Sequence, residues 1–116
     1  MIKRSQDNIA EIHANRFGGN GEQQLKMILT KEEMLGKGRN FAHTIMPPGV
    51  STGLHTHTDS LEAYYILKGK ALVNDNGHIQ ELYPGDVLFT KLGESHSIEN
   101  IGEDNLEFIA IVLLVP

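Results

Sequence analysis

The fold of this chain is decided by the stretch Gly49-Val-Ser-Thr-Gly-Leu-His55-Thr-His57-Thr-Asp-Ser-Leu-Glu62-Ala-Tyr-Tyr-Ile-Leu-Lys-Gly69. Residues i and i+2 of a β-strand point to the same face, so His55 and His57 would project side by side. A four-residue turn over 58–61 would bring Glu62 back opposite these histidines on a partner strand. The stretch therefore predicts a β-hairpin with two imidazoles and one carboxylate on one face, and this donor set suits a divalent metal ion.

Short strands separated by turns are predicted from residue 41 onward. Apolar or alternating segments bounded by turn-forming residues place strands at 41–46, 53–57, 62–67, 70–74, His78–Leu82, Val87–Thr90, Ser95–Asn100 and 106–115. The clearest turn is Asp75-Asn76-Gly77, because Asn-Gly strongly favours a two-residue hairpin turn. Many short strands at regular spacing indicate an all-β sandwich or barrel.

The last strand, 106–115, is apolar at nearly every position. Strands with one solvated face alternate between apolar and polar residues, whereas continuous apolarity is typical of burial on both faces. We therefore expect part of this strand to contact another subunit.

The first 40 residues are less regular. Residues 25–29 could form a strand, Thr30 could cap a helical turn over 31–35, and the glycine-rich residues 17–21 should form a loop. With no internal repeat and no linker, we expect one domain, in which a short irregular N-terminal segment (1–40) packs on a barrel formed by 41–116.

The composition excludes several classes of protein. A chain of 116 residues with 40% hydrophobic and 22% charged residues is typical of one globular domain. A formal net charge of −5 disfavours nucleic acid as a partner, and no apolar run approaches the ~20 residues that a membrane-spanning helix needs. No apolar segment follows Lys3 and Arg4 as it would in a signal peptide, so a cytoplasmic location is expected. Since there is no cysteine, nitrogen and oxygen atoms must hold any metal ion.

Two blocks of residues resemble the signature motifs of the cupin superfamily. The first motif, glycine, five residues, His-x-His, three or four residues, Glu, six residues, glycine, is matched in full by Gly49, His55, His57, Glu62 and Gly69. The second, glycine, five residues, Pro-x-Gly, two residues, His, three residues, Asn, is matched by Gly85, Gly93, His96 and Asn100, with Lys91 in place of the proline. The resemblance covers about residues 41–115 and implies a double-stranded β-helix, or jelly-roll barrel.

The resemblance also implies a ligand set and a cofactor. It makes His55, His57, Glu62 and His96 the expected ligands inside the barrel, with the fourth resting on the motif match alone. Three imidazoles and a carboxylate suit one divalent transition metal ion, namely Mn, Fe, Ni, Co or Zn. One or two coordination positions would stay open for water or a small-molecule ligand. Small cupins commonly pair, so a homodimer is expected.

Three functions fit these features. The first is a metalloenzyme that acts on a small sugar or carboxylic acid by metal-assisted isomerisation, decarboxylation or oxygenation. The alternative is a non-catalytic module in which the metal organises a binding pocket for a small molecule. The third is a structural role, in which the metal only stabilises the fold. The enzyme is favoured, although no residue is assigned a catalytic role, because fold does not determine reaction.

Four further residues have open assignments. His43 could point into the barrel near the metal or away from it. Tyr64 shares the inward face of Glu62 by period two, where it could pack in the core or donate a hydrogen bond to a ligand. Asn100 is expected to bond the backbone, and Lys91 is expected to be solvated, although near a pocket mouth it could attract an anion.

Overall fold

The computed structural model describes all residues from Met1 to Pro116 and is built almost entirely of strands. The ten strands are β1 (Glu11–Ala14), β2 (Glu22–Met27), β3 (Gly38–Met46), β4 (Ser51–Thr56), β5 (Ser60–Lys68), β6 (Ala71–Asp75), β7 (His78–Leu82), β8 (Val87–Thr90), β9 (Ser95–Asn100) and β10 (Leu106–Leu114). Two short 3₁₀ turns lie at Ser5–Asp7 and Arg16–Gly18. No helix is long and apolar enough to span a membrane.

The strands form two antiparallel sheets. The larger sheet has the order β1-β2-β3-β10-β5-β8, and the smaller has the order β4-β9-β6-β7. The predicted hairpin is therefore wrong in its pairing. β4 pairs with β9, whereas β5 pairs with β10 and β8 in the other sheet. The turn after His57 carries the chain from one sheet to the other, so Glu62 faces the histidines across the barrel instead of sitting beside them.

The core lies between the two sheets. Burial alternates along β3, β5 and β10, because each strand turns one face inward. Met46, Ile66, Phe108, Val73 and Ile98 are almost fully buried there. Within the single chain β10 is buried on one face only, since its burial alternates and Leu113 on its outer face is exposed. The expected contact of this strand with another subunit stays a prediction.

The N-terminal residues are more regular than their sequence suggests. β1 and β2 extend the larger sheet beyond β3, so residues 1–40 contribute two strands to it. The expected turn after Thr30 forms and is capped reciprocally: the Glu33 N–H donates to Thr30 Oγ1 (3.1 Å) and the Thr30 N–H donates to Glu33 Oε1 (2.9 Å). It ends at once, because Leu35 and Gly36 both adopt positive φ.

The β6–β7 hairpin forms as predicted. Asn76 and Gly77, with φ of 51° and 93°, make its two-residue turn, and the Gly77 N–H donates to Asn74 Oδ1 at 2.7 Å. Positive φ at both central positions is what a type I′ turn requires, and Asn-Gly adopts it most readily.

Candidate metal centre

Four donor residues meet between the two sheets. His55 on β4 lies directly opposite His96 on the neighbouring strand β9, and both point inward. His57 lies just past the end of β4, where its N–H donates to the Glu94 carbonyl (3.0 Å) and its carbonyl accepts from the Gly93 N–H (2.6 Å). Glu62 arrives from β5 in the facing sheet. The four donor atoms all lie within 4.8 Å of one another.

The spacing of these donor atoms fits a metal ion. His96 Nε2 lies 3.1 Å from the Nε2 atoms of both His55 and His57. Glu62 Oε1 lies 3.0 Å from the Nε2 atoms of His57 and His96. Adjacent ligands around an octahedral ion with bonds of about 2.1 Å would be about 3.0 Å apart, whereas tetrahedral ligands would be about 3.4 Å apart. The donor set is therefore compact enough for one six-coordinate ion.

The Nδ1 atom of each histidine, on the side of the ring away from the other donors, contacts a protein group. His55 Nδ1 donates to the Gly53 carbonyl at 2.8 Å, His57 Nδ1 lies 3.1 Å from Ser60 Oγ, and His96 Nδ1 lies 2.6 Å from Thr90 Oγ1. A carbonyl can only accept, so the proton of neutral His55 is on Nδ1 and its Nε2 lone pair faces the centre. Such outer partners orient metal-binding imidazoles, so the arrangement fits the chemistry of a metal site.

The electrostatics of the centre keep its donors ready to bind. Glu62 is 6% exposed, and burial alone would raise its pKa. Hydrogen bonds from His57 and His96 outweigh burial and lower the Glu62 pKa to about 2. Burial also lowers the pKa of His55, against the opposing effect of its bond to the Gly53 carbonyl. The site therefore offers an ionised carboxylate and a neutral imidazole near neutral pH, which are the protonation states that metal binding requires.

Comparison with known proteins places this architecture in a family. The family model for the cupin domain matches residues 42–112. The chain belongs to the cupin family. This cupin is 46% identical over 115 residues to the oxalate-binding protein of Thermotoga maritima, covering 99% of this chain and 95% of that one. The jelly-roll barrel expected from the sequence is thereby confirmed.

Solved structures agree with this assignment. The crystal structure of a predicted oxalate decarboxylase from Thermotoga maritima superposes on this cupin with a TM-score of 0.94 at 46% identity, covering 99% of this chain and 100% of that chain. The polyketide cyclase RemF from Streptomyces resistomycificus superposes with a TM-score of 0.77 at 22% identity, covering 100% and 87% of the two chains. The second likeness shows a shared fold alone.

Tyr64 packs against the metal-centre residue His96 in this cupin. Its ring stacks on His96 with centroids 5.0 Å apart, and its hydroxyl oxygen lies 3.5 Å from His96 Nε2. The inward orientation predicted from period two is confirmed, since the side chain is buried. Burial raises the pKa of the Tyr64 hydroxyl well above its usual value and outweighs the nearby positive charge of Arg16. The hydroxyl therefore stays protonated and can donate a hydrogen bond.

The other open assignments are resolved by position. His43 occupies the outer face of β3, and its Nε2 lies 2.8 Å from Glu107 Oε1, so the suggestion that it approaches the metal is wrong. Asn100 bonds the backbone as expected, because its Nδ2 donates to the carbonyls of Met46 (2.9 Å) and Asp104 (2.8 Å). Lys91 is exposed at the turn before β9, in agreement with the solvated assignment.

Sequence reasoning missed the loop that borders the centre. Phe17 stacks on the imidazole of His55, with centroids 4.0 Å apart and planes 13° apart. The loop backbone packs so tightly on β4 that a Cβ atom on Gly53 would collide with the Phe17 carbonyl oxygen. Arg16 borders a cavity that Glu62 and Tyr64 also line. At Gly19 and Gly53 the backbone of the loop and the backbone of β4 approach too closely to leave room for a side chain. These two glycines were the only local sign of this contact in the sequence.

Proposed function

We propose that this cupin holds one divalent transition metal ion on His55, His57, Glu62 and His96, and uses it to bind a small carboxylate. The convergence of these four donor atoms within 4.8 Å of one another, with four of their six pairs only 3.0–3.1 Å apart, is the observation that carries the proposal. A relative 46% identical over nearly the whole chain bears the name oxalate-binding protein, which supports a carboxylate as the ligand class. When bound, the ion supplies a positive charge that accepts carboxylate oxygens.

The arrangement of donors suggests where such a ligand would enter. The contacts of 3.0–3.1 Å join His57 and His96 to each other, His96 to His55, and Glu62 to both His57 and His96. His55 has no such contact with either His57 or Glu62, so the donor atoms are most widely spaced around His55. An ion with six coordination positions would have two left once four protein donors are bound, and a carboxylate pair could fill both.

Binding is better supported than catalysis by the groups around the centre. An enzyme needs a proton donor or acceptor within hydrogen-bond reach of its substrate. Among the residues of the adjacent cavity, Glu62 is committed to the metal, Tyr64 keeps its proton, and Arg16 cannot act as a base. We therefore propose the binding function ahead of isomerisation, decarboxylation or oxygenation.

Calorimetry with metal-free and metal-loaded protein tests this function. We expect oxalate to bind the protein loaded with Mn²⁺ or Co²⁺, and to release no heat with the metal-free protein, because the ion supplies the charge that the carboxylate needs. Glucose, which has no carboxylate, is the matched negative control. Oxalate binding of equal strength to the metal-free protein, or none to the loaded protein, would contradict the proposal.

We also propose that two copies of the chain pair through the outer face of the larger sheet. Tyr65, Val87 and Phe89 are 49%, 58% and 48% exposed, and strand register places them side by side on β5 and β8. Ile109 on β10 continues this apolar surface beside Tyr65. A contiguous apolar patch of this kind is typical of a protein–protein interface, and a twofold axis would let one patch cover its copy.

Light scattering coupled to size-exclusion chromatography tests the pairing. The unaltered chain should elute with the mass of a dimer at micromolar concentration, and Phe89→Glu should elute as a monomer because it places a charge in the interface. Ile79→Glu is the matched control, since Ile79 is 57% exposed on β7 of the other sheet. A monomeric unaltered chain, or a dimeric Phe89→Glu variant, would refute this interface.

A further inference from the structure

The loop over residues 15–19 forms one wall of the metal centre, although it lies outside both signature motifs. Asn15 and Phe17 adopt positive φ (48° and 51°), which non-glycine residues rarely do. The loop is held in this shape by Asn15, whose N–H donates to the Gly21 carbonyl and whose Oδ1 accepts from the Gly21 N–H, both at 2.9 Å. Strained backbone that is fixed so firmly is typical of a functional site.

This loop positions Arg16 at a cavity that also borders Glu62, one of the four donor residues. The cavity measures about 20 Å³, and its polar lining consists mainly of Arg16, Gln23, Asn40, Thr44, Glu62 and Tyr64. The Arg16 side chain is half-buried, and its Nη1 donates to His13 Nδ1 at 2.6 Å. His13 Nε2 in turn lies 3.3 Å from Glu11 Oε1, so β1 helps to orient the guanidinium.

Arg16 has no carboxylate partner of its own. The other arginine near the centre, Arg39, is paired with Asp59 through two hydrogen bonds of 3.0 and 3.1 Å. Arg16 forms no ion pair, and its only side-chain hydrogen bond is to His13 Nδ1. A guanidinium presents donors in a fork that matches a carboxylate, so a half-buried one without such a partner is suited to an anionic ligand.

The charges around the cavity favour a doubly charged ligand. A divalent ion and the Glu62 carboxylate together carry one net positive charge, and Arg16 adds a second. A dianion would neutralise both, whereas a monoanion would leave one positive charge unpaired. The cavity has room for only about one or two water-sized groups, so a ligand that touches both the ion and Arg16 must be a few atoms long.

We propose that Arg16 is a specificity-determining residue, which pairs with the second carboxylate of a short dicarboxylate and selects it over monocarboxylates. This inference rests on the proposed function, in which the ion binds the first carboxylate. It also assigns the N-terminal segment a part in ligand choice, because Arg16 and its support residue His13 both lie before β2.

Calorimetry with oxalate and acetate as probes tests this role on Mn²⁺-loaded protein. The variant Arg16→Met keeps the aliphatic stem but removes the charge. We expect its affinity for oxalate to fall by about tenfold or more, the size of one lost charge-assisted hydrogen bond. Its affinity for acetate should change by less than about threefold, and its Mn²⁺ content should not change. Arg4→Met, at an exposed arginine that does not line the cavity, is the matched control.

Each alternative result has a distinct meaning. Unchanged oxalate affinity in Arg16→Met, or an equal loss for oxalate and acetate, would overturn the role of Arg16 while leaving the proposed function intact. Failure of the unaltered, Mn²⁺-loaded protein to bind oxalate would overturn both. If Arg16→Met does not fold, Arg16→Gln applies the same test, because it also removes the charge but keeps a polar side chain. Oxalate affinity equal to that of the unaltered protein in Arg16→Gln would then overturn the role of Arg16.

Discussion

The His96→Ala variant is expected to lose its metal ion. His96 contacts the other three donors, and it is 1% exposed, so water cannot readily replace its imidazole. Loss of an outer partner of a metal ligand already costs about 10- to 100-fold in affinity, so loss of the ligand itself should exceed about 100-fold. Elemental analysis after dialysis and a competition titration with a chelator measure the effect.

The matched control for this variant is His78→Ala. His78 is an exposed histidine at the start of β7. This strand is one edge of the smaller sheet, and β4, which carries His55, is the other edge. It should keep one ion per chain, and circular dichroism should show β structure in both variants. An equimolar metal content in folded His96→Ala would remove the basis of the assigned donor set.

Thr90→Val is expected to weaken metal binding by about 10- to 100-fold without touching a donor atom. Thr90 is fully buried, and its Oγ1 lies 2.6 Å from His96 Nδ1. Valine keeps the shape of the side chain but removes the hydroxyl that fixes the imidazole ring, so Nε2 would no longer be held towards the ion. The dissociation constant for Co²⁺, followed by its visible absorption, reports this change directly.

Thr90→Ser separates the hydroxyl from the packing of the methyl group. Because serine retains an oxygen at the same position, its Co²⁺ affinity should stay within about threefold of the unaltered protein. Equal weakening in Thr90→Ser and Thr90→Val would mean that the methyl group matters and that the hydrogen bond to His96 does not orient the ring.

Local patterns predicted much of the fold because their physical causes are local. Asn76-Gly77 forms its turn since two consecutive residues must adopt positive φ there. Period two likewise placed His55 and His57 on one shared face, and Tyr64 on the same face as Glu62. In both cases neighbouring residues suffice to decide the conformation.

Long-range pairing could not be predicted in the same way. A short turn after His57 is compatible with a hairpin and equally with a crossing to the facing sheet, and the contacts that decide between them lie on β9 and β10. Thr90 and Arg16 carried no local signal, because their roles depend on which strand or loop lies beside the donors. His96 was found through motif resemblance. It lies opposite His55 on a strand that is distant in sequence, so the spacing of residues along the chain could not predict their contact.

The donors belong to different layers of the barrel, since His55 and His96 come from the smaller sheet and Glu62 from the larger. An ion held by all of them would link the two sheets, in addition to the apolar core and to side-chain hydrogen bonds such as Thr90–His96 and Asn100–Met46 that already join them. Metal binding would then raise the free energy of unfolding by about 2.7 kcal/mol when the free ion is present at about 100 times its dissociation constant. The concentration of the free ion would thus affect the stability of the folded chain as well as its ligand affinity.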